Sequence, residues 1–223
     1  LVTGVQTCAL PICKGRRLAP LTDNLPKPLI KIGSESILEI LIKKLSAQGF
    51  RSISISVNHL GEKIKNEIGD GKHLGADVKY IDENTPLGTA GALSLIDNIH
   101  GYPTLVVNAD IITNISFEEL LDFHRSNSAD LTAVLFNSYI ESPFGRVKLA
   151  LNQIIEIEEK PIYQEKVFAG ITVINESIRS QIQDYKSLQM TELIDSTLKN
   201  GKKVLGYEIQ DFWTDIEIGR AHV

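Results

Sequence analysis

Between Ser36 and Asn137 the chain keeps switching between two hydrophobic periods, and that switching is what most restricts the folds open to it. In SILEILIKKLSAQGF (36–50) the residues Ile37, Leu38, Leu41, Ile42 and Leu45 recur at helical spacing, and Gly49 stands where a C-cap would. SISISV alternates as a strand, EKIKNEI reads as a short helix, VKYID as a strand, and GTAGALSLIDNI as a helix opening at a glycine turn. TLVVNAD is an apolar run of the kind found in parallel strands covered on both faces. SFEELLDFHRS begins with Ser116 and Glu119 at capping-box spacing, and LTAVLF is a further strand. This alternation predicts an α/β fold of three layers, a mostly parallel sheet with helices on both faces, joined by right-handed crossovers.

After Asn137 the pattern shortens to the strands GRVKL, QIIEIEE and VFAGITVI, then helices around Ile178 and Leu193, then VLGYEI. The expectation here is a smaller, partly antiparallel sheet packed beside the first half, giving one domain with two lobes and a cleft. Hydrophobic residues make up 43% of the 223, which is ample for a buried core. A net charge of -5 argues against a general nucleic-acid binder, so local basicity marks a site rather than a field. No apolar run approaches the roughly 20 residues of a spanning helix, and the expected setting is cytoplasmic. The two cysteines, Cys8 and Cys13, suggest neither a disulfide framework nor a cysteine metal site.

The two ends read differently from the rest. VTGVQTCALPI (2–12) resembles the translation of a common sequencing-library adapter, and IGRAHV (218–223) resembles the same adapter read in the opposite orientation. The expected organisation is therefore an adapter-derived scar over 1–12, a domain truncated at both ends over 13–217, and a second scar over 218–223, the scars being set aside from fold reasoning. On codon arithmetic, Cys13 and Glu217 at the two junctions each stand where a glycine codon is permitted.

Two stretches carry chemistry. KGRRLAPLTDNLPKPL (14–29) has Gly15 for a tight backbone, fixed charge at Arg16 and Arg17, and Lys27 held between Pro26 and Pro28 on a stiff extended segment. Backbone N–H groups in such a turn, with cations aimed inward, suit a polyphosphate; a solvated basic loop is the plainer reading. In VVNAD, Asp110 ends an apolar strand at what should be the carboxyl edge of the sheet, where ligands of open α/β sheets sit. A carboxylate there beside a triphosphate would hold Mg²⁺, or it would simply cap the turn that follows.

GRRLAPLTDNLPKPLIKI resembles the signature of the sugar-1-phosphate nucleotidyltransferases, with Gly15, Arg17, Leu18, Pro20, Leu21, Thr22, Pro26, Lys27 and Pro28 matching and Arg16 departing from the usual small residue. Other landmarks of that family follow in order: PLGTAGAL resembles its base-binding turn and helix, NAD its metal motif, FGRV its sugar-binding glycine. EEKP resembles its Glu-Lys-Pro motif, FAGITV its Asn-Ala-Gly motif with Phe168 in place of Asn, and FWTDI its second metal aspartate. The resemblance implies a Rossmann-like nucleotidyltransferase fold of the GT-A-like kind, with a mixed, mostly parallel sheet and a smaller antiparallel lobe. It also implies that a central buried strand running into consecutive glycines should stand before Gly15, a place that residues 1–13 occupy here.

The chemistry implied is transfer of a nucleotidyl group from an NTP to a sugar 1-phosphate, releasing pyrophosphate, with Mg²⁺ as cofactor. By resemblance, Arg17 and Lys27 serve the triphosphate and the reacting centre, with Gly15 in the phosphate turn, while Gly88 and Thr89 border the base. Lys160 receives the sugar phosphate, and Glu159, Gly145 and Gly170 belong to the sugar site. Asp110 and Asp215 take the metal. PLGTAGAL and VFAGITVI look most like the guanylyltransferase branch, so GTP is the expected nucleotide. The alternatives are a thymidylyl-, uridylyl- or cytidylyltransferase, or a catalytically silent nucleotide-sugar-binding relative that regulates a partner enzyme. Partners are then small molecules rather than nucleic acid or membrane, and a homo-oligomer is compatible with the reading. Trp213 is expected to be structural, and His59, His73, His100 and His124 to lie at the surface or in loops, with no metal-ligand spacing.

Overall fold

The computed structural model describes residues 6–10, 22, 24–58, 60–96, 101–182 and 187–216. In chain order it contains β1 (Gln6–Leu10), the short β2 (Lys31–Ile32) and β3 (Glu35–Ser36), α1 (Ile37–Ala47), β4 (Ser52–Val57), α2 (Gly61–Ile68) and β5 (Asp77–Asp82). Next come α3 (Gly88–Gly91), β6 (Thr104–Asn108), β7 (Ile111–Thr113), α4 (Phe117–Ser126), β8 (Leu131–Glu141), β9 (Arg146–Ala150) and β10 (Gln153–Glu158). The chain continues through β11 (Ile162–Ile174), α5 (Glu176–Arg179), α6 (Met190–Lys199), β12 (Val204–Ile209) and β13 (Trp213–Asp215).

Seven strands form one sheet in the order β12-β8-β11-β6-β1-β4-β5. Every neighbouring pair is parallel except those made by β11, which runs antiparallel to both β8 and β6. The central slot between β6 and β4 belongs to Gln6–Leu10, within the stretch that the sequence sets aside. The separate second sheet expected after Asn137 is not there in that form. β8, β11 and β12 extend the main sheet, because a strand entering antiparallel beside β6 satisfies the free edge of that strand directly. The antiparallel lobe is what projects beyond: the outer halves of β8 and β11, paired from Phe136↔Val167 to Glu141↔Ile162, and the β9–β10 hairpin between them.

Alternate side chains of the sheet feed two layers. Leu105 and Val107 of β6, with Ile171 and Val173 of β11, pack with Leu38, Ile42 and Leu45 of α1, Ile64 and Ile68 of α2, and Phe117, Leu120 and Leu121 of α4. Val106 and Ile174 point the other way, into Ala90 of α3, Ile178 of α5 and Met190 and Leu193 of α6. Burial of such side chains contributes roughly 1.5–3 kcal/mol each before the entropy of ordering is counted. The three layers expected from the alternation are thus present.

Local signals set the helix ends. Ser36 caps α1 by a complete capping box: its Oγ accepts from the Glu39 N–H at 3.3 Å, and its own N–H donates to Glu39 Oε2 at 2.6 Å. Gly49 follows the helix at φ +90°, and the Phe50 N–H reaches back to Leu45 O at 3.0 Å, as an αL exit allows. At α4 only the Ser116 half of the expected box forms, its Oγ accepting from the Glu119 N–H. The long helix expected from Gly88 is shorter: α3 gives way to a 3₁₀ turn over Ala92–Leu95. Its Ala90 and Gly91 N–H groups bind Leu188 O, so a distant segment fixes this turn.

The β9–β10 hairpin is amphipathic. Ile154 and Ile157 stand opposite Leu149 and Val147, while Glu156 and Glu158 stand opposite Lys148 and Arg146. The charged face is laced by Arg146–Glu158 and Lys148–Glu156 pairs, exposed and therefore worth at most about 1 kcal/mol each. All four apolar side chains of the other face are exposed.

One histidine departs from expectation. His73 is exposed and His59 and His100 lie outside the described residues, but His124 is buried. The helical stripe that buries Phe117, Leu120 and Leu121 continues onto it, three residues past Leu121. Its Nδ1 sits 2.8 Å from Thr132 Oγ1 and its Nε2 3.0 Å from Asn175 Oδ1, while Asn175 Nδ2 donates to Ala129 O. Burial holds the imidazole below its usual range, and the Asn175 hydrogen bond offsets this only in part. A base whose pKa is depressed on folding stabilises the native state above the unfolded value, near 6.5, and that contribution is lost as pH falls through the folded value. Thermal melts between about pH 7.5 and pH 5.5 should therefore show stability falling on acidification, with a smaller slope in His124→Gln. Equal slopes in the two proteins would remove His124 from the account.

Candidate active site

The carboxyl end of β6 meets three other pieces of chain. The first is the turn at Lys27–Leu29, where Pro26 and Pro28 enclose Lys27. The second is the ribbon formed by β7 and β13, whose register puts Asp215 opposite Ile111, the residue that follows Asp110. The third is an irregularity in β11: pairing with β8 shifts between Phe168 and Thr172, so this short stretch leaves the ladder beside β6. Gly170 sits in it at φ +70°, a conformation that side chains with a Cβ adopt only under strain.

These pieces bring Lys27, Asp110 and Asp215 together. Lys27 Nζ donates to Asp110 Oδ2 at 2.6 Å and to Asp215 Oδ1 at 3.0 Å, and its side chain has no exposed surface. Burial alone would lower the lysine pKa, but the charge of Asp110 and the hydrogen bonds to both carboxylates outweigh it, and the ammonium sits above its ordinary range. Asp110 goes the other way from a surface aspartate: burial first, then the charge of Asp215, push its carboxyl up against the pull of Lys27. Its Oδ1 is buried without a hydrogen-bond partner among the described residues.

Beside this group lies a cleft of about 290 Å³. Asn108, Phe136, Phe168, Gly170, Trp213 and Asp215 are among its walls. Trp213, expected to be structural, is so in part: Nε1–H donates to Ala169 O at 2.9 Å and the indole packs at 5.1 Å from Phe136. It thereby holds the irregular stretch of β11 against β13 while also lining the cleft. Gly170 is placed where a Cβ would come 2.8 Å from Asn108 Nδ2 and 2.7 Å from Ile111 Cδ1.

The other expected residues form two further groupings. Gly88 is buried at φ +76°, with Leu188 O only 2.6 Å from where its Cβ would be, and Thr89 Oγ1 accepts from the Met190 N–H at 2.7 Å. Glu83 braces the approach to this turn: Oε1 accepts from Ser56 Oγ, and Oε2 from the Leu87 N–H at 2.8 Å. Gly145 and Glu159 flank the β9–β10 hairpin, with Glu159 Oε2 3.3 Å from the position of a Gly145 Cβ. Lys160 follows in an αL conformation at φ +45°, and both Glu159 and Lys160 are exposed. Gly15 and Arg17 lie outside the described residues.

Sequence reasoning did not single out Asn108, Phe136, Glu83 or the 188–190 segment. Asn108 lies within the NAD motif, where only Asp110 is given a role; the others act through contacts that no local pattern encodes.

Residues 13–220 match the nucleotidyl transferase family. The chain belongs to that family. Among curated relatives of this nucleotidyl transferase chain, the mannose-1-phosphate guanyltransferase of Yarrowia lipolytica is 29% identical over 210 residues, 91% of this chain and 58% of that protein. The mannose-1-phosphate guanylyltransferase catalytic subunit beta of Dictyostelium discoideum is 30% identical over 209 residues, again 91% of this chain and 58% of that one. The chain therefore spans a little over half the length of the curated relatives it matches. In solved structures, a Bacillus anthracis protein described as a glucose-1-phosphate thymidylyltransferase, in complex with a sucrose, superposes with a TM-score of 0.76 at 24% identity. It covers 97% of this chain and 93% of its own, a likeness that bears on the fold.

The geometry of the β11 irregularity yields a test. Gly170→Ala should lower unfolding stability by about 1–3 kcal/mol, since the new Cβ meets Asn108 and Ile111 and the residue must hold a left-handed conformation. Urea unfolding reads this directly. An unchanged midpoint would show that the stretch forms equally well without the glycine.

Proposed function

We propose that this chain transfers a nucleotidyl group from an NTP, by preference GTP, to a sugar 1-phosphate, giving an NDP-sugar and pyrophosphate for glycan or polysaccharide precursors. The observation that carries this reading is the buried Lys27 between Asp110 and Asp215 at the carboxyl end of a parallel strand, beside a cleft. Family membership supports the reaction class, and the names of the curated relatives support the guanine nucleotide and suggest mannose 1-phosphate as a first acceptor. The domain is taken as 13–217, beginning where the family match over 13–220 begins, and the proposed setting is cytoplasmic. Among the described residues no helix is long and apolar enough to cross a membrane.

The attacking group needs little activation, because a sugar phosphate with a second pKa of roughly 6 is mostly dianionic at neutral pH. Repulsion between two anions is the barrier, so positioning and charge neutralisation carry the catalysis. Lys27, with its pKa held up by two carboxylates, stays cationic and would face the phosphates near the reacting centre. Arg17 and the Gly15 turn are assigned to the triphosphate, Gly88 and Thr89 to the base, and Lys160 to the sugar phosphate. Glu159 and the Gly145 backbone would hydrogen-bond sugar hydroxyls, with Gly170 keeping the cleft open beside Asn108.

Asp110 and Asp215 fit a magnesium site. Asp110 Oδ1 is buried and unsatisfied among the described residues, and no cluster of three or more His, Cys, Asp and Glu occurs there. Two carboxylates with the remaining ligands from phosphate and water match the habit of Mg²⁺. When bound, the ion would neutralise charge on the phosphate oxygens.

Pyrophosphate release should be measured with five nucleotides, GTP, dTTP, UTP, CTP and ATP, against mannose, glucosamine and heptose 1-phosphates. GTP is expected to be preferred; preference for dTTP, UTP or CTP would install the alternative base specificity. Absence of release with every pair would leave a nucleotide-sugar-binding protein without catalysis, a reading that retention of Lys27, Asp110 and Asp215 disfavours. Asp110→Asn should lower turnover on the order of 100-fold or more, since an amide cannot supply the carboxylate charge. Turnover near the wild-type level with Mg²⁺ limiting would reduce Asp110 to a turn residue.

A further inference from the structure

The ammonium of Lys27 is hydrogen-bonded to both of the carboxyl groups that would hold a divalent cation, through Asp110 Oδ2 and Asp215 Oδ1. We propose that Lys27 is a built-in counter-ion that competes with the cation for Asp110 and Asp215, and so couples cation binding to the arrival of polyphosphate. The identity of the cation rests on the function proposed above; the competition rests on the geometry alone.

The ammonium engages one oxygen of each carboxylate, and the competition is one of charge at close range. Nζ is 2.6 Å from Asp110 Oδ2 and 3.0 Å from Asp215 Oδ1, and the lysine side chain is wholly buried. A dication seated between the same two residues would stand within a few ångströms of the ammonium, in surroundings where like charges repel more strongly than in water. Without Lys27, the two carboxylates that it bridges would face each other with like charge. The lysine relieves that repulsion in the metal-free protein, at the cost of opposing the cation.

A polyphosphate changes the balance, because its oxygens offer the ammonium a replacement partner as good as a carboxylate. Once Lys27 turns to phosphate, its charge no longer opposes a cation at the two aspartates. Cation and polyphosphate then bind with positive coupling, and by linkage each raises the affinity for the other by the same factor. A site built this way binds free divalent cation weakly and fills only when the nucleotide is present.

The test uses the whole chain and Mn²⁺ alone, followed by electron paramagnetic resonance, with no nucleotide and no turnover. Lys27→Met should bind Mn²⁺ about 10-fold or more tightly than the wild type, because the competitor is gone. Equal or weaker binding in the variant would overturn the proposal. Should Lys27→Met fail to fold, the wild type decides by itself. With ¹⁵N-labelled lysine, Mg²⁺ alone at high concentration should shift the Lys27 ammonium resonance and expose its protons to exchange, and an unmoved resonance at saturating Mg²⁺ would overturn the idea. Pyrophosphate release reports separately: a chain that shows the competition but releases none would sink the proposed reaction and leave the counter-ion standing.

Discussion

A lysine ammonium with no exposed surface must be matched by anions, and in this chain the anions come from far along the sequence. Lys27 is 83 residues from Asp110 and 188 from Asp215. For the three to meet, β6 must end at the turn following Pro26, and β13 must return to pair with β7. Breaking one partner of such a pair is expected to cost on the order of 3–5 kcal/mol, because a buried charge is left uncompensated. The ion group therefore ties together the beginning, middle and end of the described chain, and any arrangement of the sheet that separated them would leave that charge stranded.

Much of the fold could be read from the sequence because its determinants are local. The stripe Ile37, Leu38, Leu41, Ile42 and Leu45 with Ser36 before it specifies α1, and the structure reproduces both the buried face and the cap. The second half was less legible for a physical reason. Whether VFAGITVI joins the main sheet or starts another depends on which edge it pairs with, and a strand's own side chains do not name its partner. His124 shows a subtler limit: its helical phase put it on the buried stripe, while the usual exposure of histidine argued the other way, and phase prevailed.

The site divides along the same line. Lys27, Asp110 and Asp215 were picked out from motifs, and the structure brings them within hydrogen-bonding distance of one another's groups through the lysine. Phe136 and Glu83 left no comparable trace, since one gains its place through strand register and the other through contacts to Ser56 and Leu87. Trp213 was assigned to the core and does serve there, yet the same indole faces the cleft; a single aromatic can brace one wall of a site and form another.

The irregular stretch of β11 also has a property that concerns the core rather than the cleft. Phe168 faces Leu135 and Thr172 faces Ala133, so four steps along β11 span two along β8. The surplus is an even number, and in a strand an even surplus leaves the inward and outward faces in phase, whereas an odd one would exchange them. Ile171 and Val173 consequently still reach the layer of α1 and α4, and Ile174 the layer of α6, as if the ladder had never been interrupted. The wall of the cleft thus carries two extra residues of β11, while Ala169 within it and the strand beyond keep the phase of the core.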